Sequence, residues 1–179
     1  MTRRVVPPPF QQGELDSLCG PYSLVNAVRY LRSPFPPAEG VRLLKRILRR
    51  LEPQRPLVRR ITYGTEQTEM EGVLQAVLVS RYGMGYSRPF KGQRLLTLET
   101  YLGQVERFLD QTQGIVLISL EGVYNHWTLV RQVTPKSLLL YDSDHLTRLS
   151  RRTCVLKAGD DHRRWHVIQA SNTFFLWVE

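Results

Sequence analysis

The chain has 179 residues, 42% of them hydrophobic, which suits one globular domain spanning 1–179 and argues against disorder. No apolar run approaches the roughly 18 residues of a membrane span, and the basic, proline-rich residues 1–9 lack the apolar stretch of a secretory signal. The net charge is +9, and residues 1–60 hold 12 Lys or Arg against four acids, Glu14, Asp16, Glu39 and Glu52. These features point to a cytoplasmic protein, with delivery out of the cell left open. They also point to an acidic partner, an acidic substrate surface or nucleic acid, or to a basic face that only aids solubility.

The first half reads as helical. Leu24, Ala27, Val28 and Leu31 follow the helical spacing, so a largely buried helix is expected over 20–31, ended by Pro34, Pro36 and Pro37. A second helix is expected over about 38–51. Its apolar stripe is Leu44, Ile47, Leu48 and Leu51, and its basic stripe is Arg42, Lys45, Arg46 and Arg49. Pro53 and Pro56 mark a break. Thr68 and Glu71 have capping-box spacing, which predicts a helix over about 69–80, and Gly83 and Gly85 then read as turn signals. Thr97 is a good N-cap for a further helix with Leu98, Tyr101, Leu102, Val105, Phe108 and Leu109 on one face and a stop at Gly114.

The texture then changes. Strands are expected at 115–120, 127–133, 137–141, 153–156, 165–168 and 174–178, with a hairpin turn near Thr134-Pro135. Helices first (about 14–113) and an antiparallel sheet after (about 114–179) is an α+β layout.

One set of residues carries chemistry. Cys19 stands where a loop enters a helix, and free N–H groups and partial positive charge at such a terminus favour a thiolate and an oxyanion. Pro21 suits the first turn, and Gly20 lets the backbone come close to a substrate carbonyl. His126 begins one strand of the hairpin and Asp142 ends the next. A turn near Thr134-Pro135 sets His126 opposite Asp142, or opposite Asp144 if the register shifts by two, close enough for an imidazole–carboxylate hydrogen bond. A histidine base and a carboxylate that orients it complete what a cysteine nucleophile needs.

Gln12, followed by Cys19-Gly20-Pro21-Tyr22-Ser23-Leu24, resembles the entry to the central helix of papain-like cysteine peptidases. Asn125-His126-Trp127-Thr128-Leu129-Val130 and Leu140-Tyr141-Asp142 resemble their histidine and aspartate strands. The residue order is most similar to bacterial peptidases that cut leader peptides after a double glycine. The resemblance implies a papain-like fold whose central helix carries the cysteine. It implies a thioester acyl-enzyme on a peptide or protein substrate and no cofactor. It also implies a glutamine oxyanion donor, for which Gln12 is the candidate and Gln11 the alternate. In the double-glycine group that glutamine stands six residues before the cysteine, a place held here by Gly13, and the acidic residue usual just before the cysteine is missing, with Asp16 three residues back. Asn125, Trp127 and Gly20 are expected beside the substrate. Trp127 walls the histidine from water.

Other constellations carry less. Cys154, His162 and His166 lack the four well-spaced ligands of a zinc site, so no metal is expected. A Cys19–Cys154 bridge is arithmetically allowed, but Cys19 has the role above. His145 reads as a turn residue, and Trp165 and Trp177 as core. The basic stripe, extended by Arg55, Arg59 and Arg60, offers phosphate contacts or an acidic-protein dock, without a nucleic-acid motif. Two alternatives to a peptidase stand. The same triad serves glutamine deamidases and acyltransferases, which fold alone does not separate, and a basic module that only binds would leave Cys19 structural.

Overall fold

The continuous apolar run after Gly114 forms the strand around which the molecule is built. The structure is a computed structural model describing residues 6–54, 56–93, 96–156 and 166–178. Its helices are α1 (Cys19–Leu31), α2 (Pro37–Leu51), α3 (Leu57–Tyr63), α4 (Gln67–Val73), α5 (Ser80–Tyr82) and α6 (Leu98–Gln111). Its strands are β1 (Met84–Ser87), β2 (Ile115–Gly122), β3 (His126–Val133), β4 (Ser137–Leu140), β5 (Arg148–Ser150), β6 (Cys154–Val155), β7 (His166–Ile168) and β8 (Phe174–Val178). They form one sheet in the order β1-β8-β2-β3-β4-β5, with β7 also paired to β2 and β6 to β7. The described pairings are antiparallel except β6–β7. Mixed helix and antiparallel sheet is the α+β class.

Successive side chains of a strand point to opposite faces, and β2 buries both. Ile115 and Leu117 enter a core with Leu24 and Val28 of α1 and Leu43 and Ile47 of α2. Val116 and Ile118 enter a second core with Tyr101, Leu102 and Val105 of α6. Helices therefore cover both faces of the sheet, which is why the run shows no polar alternation. Cys19 belongs to the first core and Cys154 to the second, both as free thiols, so no bridge joins them.

Several expected elements shift. The buried line of α2 is Gly40, Leu43, Ile47 and Leu51; Leu44 and Leu48 are half-buried, while Arg42, Lys45, Arg46 and Arg49 are exposed. Helix α3 lies where only a proline break is expected. It carries Arg60, which is fully buried and ion-paired to Glu69 at 2.8 Å. Arg60 is thus a core residue and no part of a basic surface; Arg55 lies outside the described residues. The capping box joins Glu66 and Glu69, not Thr68 and Glu71, and opens α4 at Gln67. The helix continues as a π-helical segment, Leu74–Val79, into α5. Gly83 is a left-handed turn residue at φ 51°. Gly85 is instead a strand residue opposite Trp177, whose indole ring occupies the space a Cβ would need. Trp177 is half-buried, packed on the second core; Trp165 lies outside the described residues.

Thr97 caps α6 as expected, its hydroxyl accepting from the Thr100 N–H at 3.1 Å. The hairpin of β3 and β4 forms with Val130 opposite Leu140 and a bulge before Gln132. Among the described residues no helix is long and apolar enough to cross a membrane.

Candidate active site

Cys19 is the first residue of α1 and is only 6% exposed. Its Sγ accepts a hydrogen bond from the Trp127 backbone N–H at 3.5 Å. The helix start is held from below by two contacts. The Ser23 hydroxyl donates to the Trp127 carbonyl at 2.9 Å, and Asp16 accepts from the Leu18 N–H at 3.0 Å. Gly20 is buried, and a Cβ there would press on Met70 and Thr65. It does not line the cleft beside Cys19. Its lack of a side chain makes room for Met70 of α4 and for Thr65.

His126 is 8% exposed at the start of β3. Its Nε2 hydrogen-bonds Asp142 Oδ2 at 2.7 Å. Cys19 is close enough to interact with the ring, and Nδ1 is the nitrogen that Asp142 leaves free. Burial alone would lower the His126 pKa. Its hydrogen bonds and charge attraction to Asp142 and Cys19 outweigh that and raise it to about 10.

Asp142 is the histidine's partner, by a route the simple register does not show. Continuing the Val130–Leu140 pairing would set Thr128, not His126, opposite Asp142. The strand ends at Leu140, however, and the chain turns, carrying the carboxylate diagonally to His126. Two backbone donors then fix it: Asp142 Oδ1 accepts from the N–H groups of Asp144 at 2.7 Å and Leu146 at 3.2 Å. Burial raises the Asp142 pKa, but the hydrogen bond and charge of His126 outweigh it, so the net shift is downward. The Asp144 side chain lines the cleft instead. His145 is the turn residue expected, at φ 59°.

A strap of residues before α1 brings in the glutamines. Asn26, fully buried on α1, clamps Phe10 from both sides, accepting from its N–H at 2.8 Å and donating to its carbonyl at 3.0 Å. Nothing in hydrophobic periodicity marks Asn26, although a polar residue inside a buried helix is itself a signal. Gln11 is used in tying the strap to the aspartate turn: its Nε2 donates to the Asp142 carbonyl and its Oε1 accepts from the His145 N–H, both at 3.2 Å. Gln12 lines the cleft. Its Oε1 accepts from the Ser143 hydroxyl at 3.2 Å, and no described residue takes its Nε2 amide hydrogens. Gln12, not Gln11, has a free donor at the site.

These residues meet in a cleft of about 610 Å³. Asn125 and Trp127 line it, as do Ser17, Tyr63, Thr65 and Tyr124. Trp127 is buried and anchored, its Nε1 donating to the Thr65 carbonyl at 2.8 Å. That bond ties the segment just after α3, a helix the sequence did not announce, to β3. The expected metal candidates do not converge: His166 stands opposite Cys154, His162 lies outside the described residues, and no described group of three His, Cys, Asp or Glu could hold a metal.

The charge pair predicts a pH window for stability. A histidine whose folded pKa is raised contributes stability that is whole below its unfolded value of about 6.5 and lost as pH rises through about 10. An aspartate whose folded pKa is lowered contributes stability above its unfolded value, lost as pH falls through the folded one. The melting-temperature gap between the wild type and His126→Gln should therefore be widest near pH 4–6.5 and shrink steadily towards pH 10. A gap that grows with pH would mean that His126 is neutral in the fold.

Comparison with protein-family models, with curated proteins and with solved structures gave no match.

Proposed function

We propose that the chain is a papain-like cysteine hydrolase that cleaves a peptide or protein through a thioester acyl-enzyme. The observation that carries this reading is the His126 imidazole, hydrogen-bonded to Asp142 and lining the same cleft as Cys19. A cysteine beside a histidine kept protonated by a carboxylate is the arrangement in which thiolate chemistry operates.

Each group has a role in the steps. The Cys19 sulfur attacks the substrate carbonyl carbon, and the carbonyl oxygen becomes an oxyanion. Donors for that oxygen are the Cys19 backbone N–H at the start of α1 and the free amide of Gln12. As the C–N bond breaks, His126 gives its proton to the leaving amine. A water then attacks the thioester, His126 takes its proton, and Cys19 leaves with the acid product released. Asp142 keeps the imidazole oriented throughout. A deamidase would release ammonia in the first half of this sequence, and an acyltransferase would replace the water by another acceptor. Product mass on a panel of peptides separates the three.

The test of the nucleophile is selective alkylation. Cys154 is 3% exposed and burial pushes its pKa up to about 11, so it should react slowly. Iodoacetamide at neutral pH should label Cys19 at least about 100-fold faster, since rate follows thiolate fraction and access. Adduct mapping by mass spectrometry reads the ratio. Equal labelling, or labelling of Cys154 first, would remove Cys19 as the nucleophile.

A further inference from the structure

The charge of the cleft runs against the charge of the chain. The whole sequence carries +9, yet among the described residues that line the cleft there is no Lys or Arg, while Asp16, Glu121 and Asp144 all open onto it. Each of these carboxylates keeps acceptor capacity. Glu121 gives one oxygen to Gln169 at 2.6 Å, Asp16 takes one backbone N–H on each oxygen, and the Asp144 side chain has no partner among the described residues. Two aromatic faces stand at the same opening. Tyr63 is 77% exposed and Tyr124 41% exposed. Tyr124 stacks one face on His166, which leaves the other face open.

We infer that the cleft takes a polypeptide segment bearing Lys or Arg next to the residue attacked by Cys19. The inference rests on the hydrolase reading for the position of the attacked bond. Carboxylates and open tyrosine faces are the two surfaces that favour ammonium and guanidinium groups. The exposed arginines of α2 do not line this cleft, so any acidic partner they hold binds outside it. Long-range repulsion from the net charge is screened beyond ~8 Å at physiological salt, which leaves the local carboxylates to decide.

Binding to the Cys19→Ala variant tests this without turnover. Short fluorescein-labelled peptides carry Lys, norleucine or Glu at otherwise identical central positions, and anisotropy at physiological salt gives each Kd. The lysine peptide should bind about tenfold tighter than the norleucine peptide, the sum expected of exposed ion pairs and one cation–π contact. Glu121→Gln with Asp144→Asn should erase most of that preference, and Tyr63→Ala part of it. Both substituted carboxylates are on exposed residues, so folding is preserved; Asp16 is left alone because it caps its own loop. Equal binding, preference for the Glu peptide, no binding of any peptide, or a preference that survives these substitutions would each overturn the inference. Failure of the hydrolase reading looks different: Cys19 would not outpace Cys154 in alkylation, while the lysine preference would persist.

Discussion

Replacing Cys19 by alanine is expected to lower kcat/KM on any substrate found with the peptide panel by about 10⁴–10⁶-fold. The nucleophile has no substitute in the cleft. Ser17 also lines it, but its hydroxyl is spent on the Thr62 carbonyl at 3.2 Å and has no histidine beside it. His126→Ala should cost a similar factor, and the double variant little more than either single one, because residues that act as one unit do not add. Asp142→Asn should cost about 10⁴-fold, because the backbone N–H groups that donate to Oδ1 would hold the amide oxygen and leave the Nδ2 donor facing His126 Nε2, in the wrong tautomer and without the charge. The fold should survive the loss of the sulfur at a cost of about 1 kcal/mol. Steady-state kinetics with active-site titration check the series. A Cys19→Ala variant that keeps a tenth of its activity would move the chemistry elsewhere.

The largest expected stability effect lies at Arg60. Arg60→Met removes one member of a buried ion pair and leaves Glu69, 5% exposed, with its charge. Breaking such a pair from one side costs about 3–5 kcal/mol. For a domain of this size each kcal/mol lowers Tm by about 2–4 °C, so a drop of about 6–20 °C is expected by calorimetry. Removing both partners together, with Glu69→Leu added, should recover part of the loss, because the uncompensated carboxylate is then gone. A single-variant drop under about 3 °C would show that the pair is hydrated in solution. The effect should reach the site as well. Arg60 anchors α3, which ends at the cleft residue Tyr63, so turnover of any substrate found with the peptide panel should show a raised KM.

The parts legible in the sequence were those governed by apolar periodicity and strong caps. Helices α1 and α6 follow their stripes, and β2, β3, β4 and β8 fall close to the apolar runs. The His126–Asp142 hydrogen bond was partly within reach, because hairpin spacing brings these strand ends together although the observed register sets Thr128 opposite Asp142. Helix α3 was not, since its buried anchor is a charge whose partner stands nine residues on, and hydrophobic pattern does not see charges. Strand β1 was hidden by Gly85, whose missing side chain makes room for Trp177 rather than a turn. The capping box was misplaced because glutamate is an unusual N-cap beside a more typical threonine. The glutamine was ambiguous for a different reason. Choosing between Gln11 and Gln12 depends on the aspartate turn, more than 130 residues away.

The strand order also sets a schedule for the growing chain. Cys19 leaves the ribosome well before Trp127, which hydrogen-bonds its sulfur and lies 108 residues later. At about 5–20 residues per second, translation alone separates them by roughly 5–20 s. Even then the sheet is unfinished, because β8 must slot between β1 and β2. Non-local pairings of this kind form late, once loop-closure entropy has been met. During synthesis the thiol is therefore an isolated side chain with no base and no cleft. Whatever reactivity the thiol has is latent by topology, and it is acquired only when distant segments close the sheet.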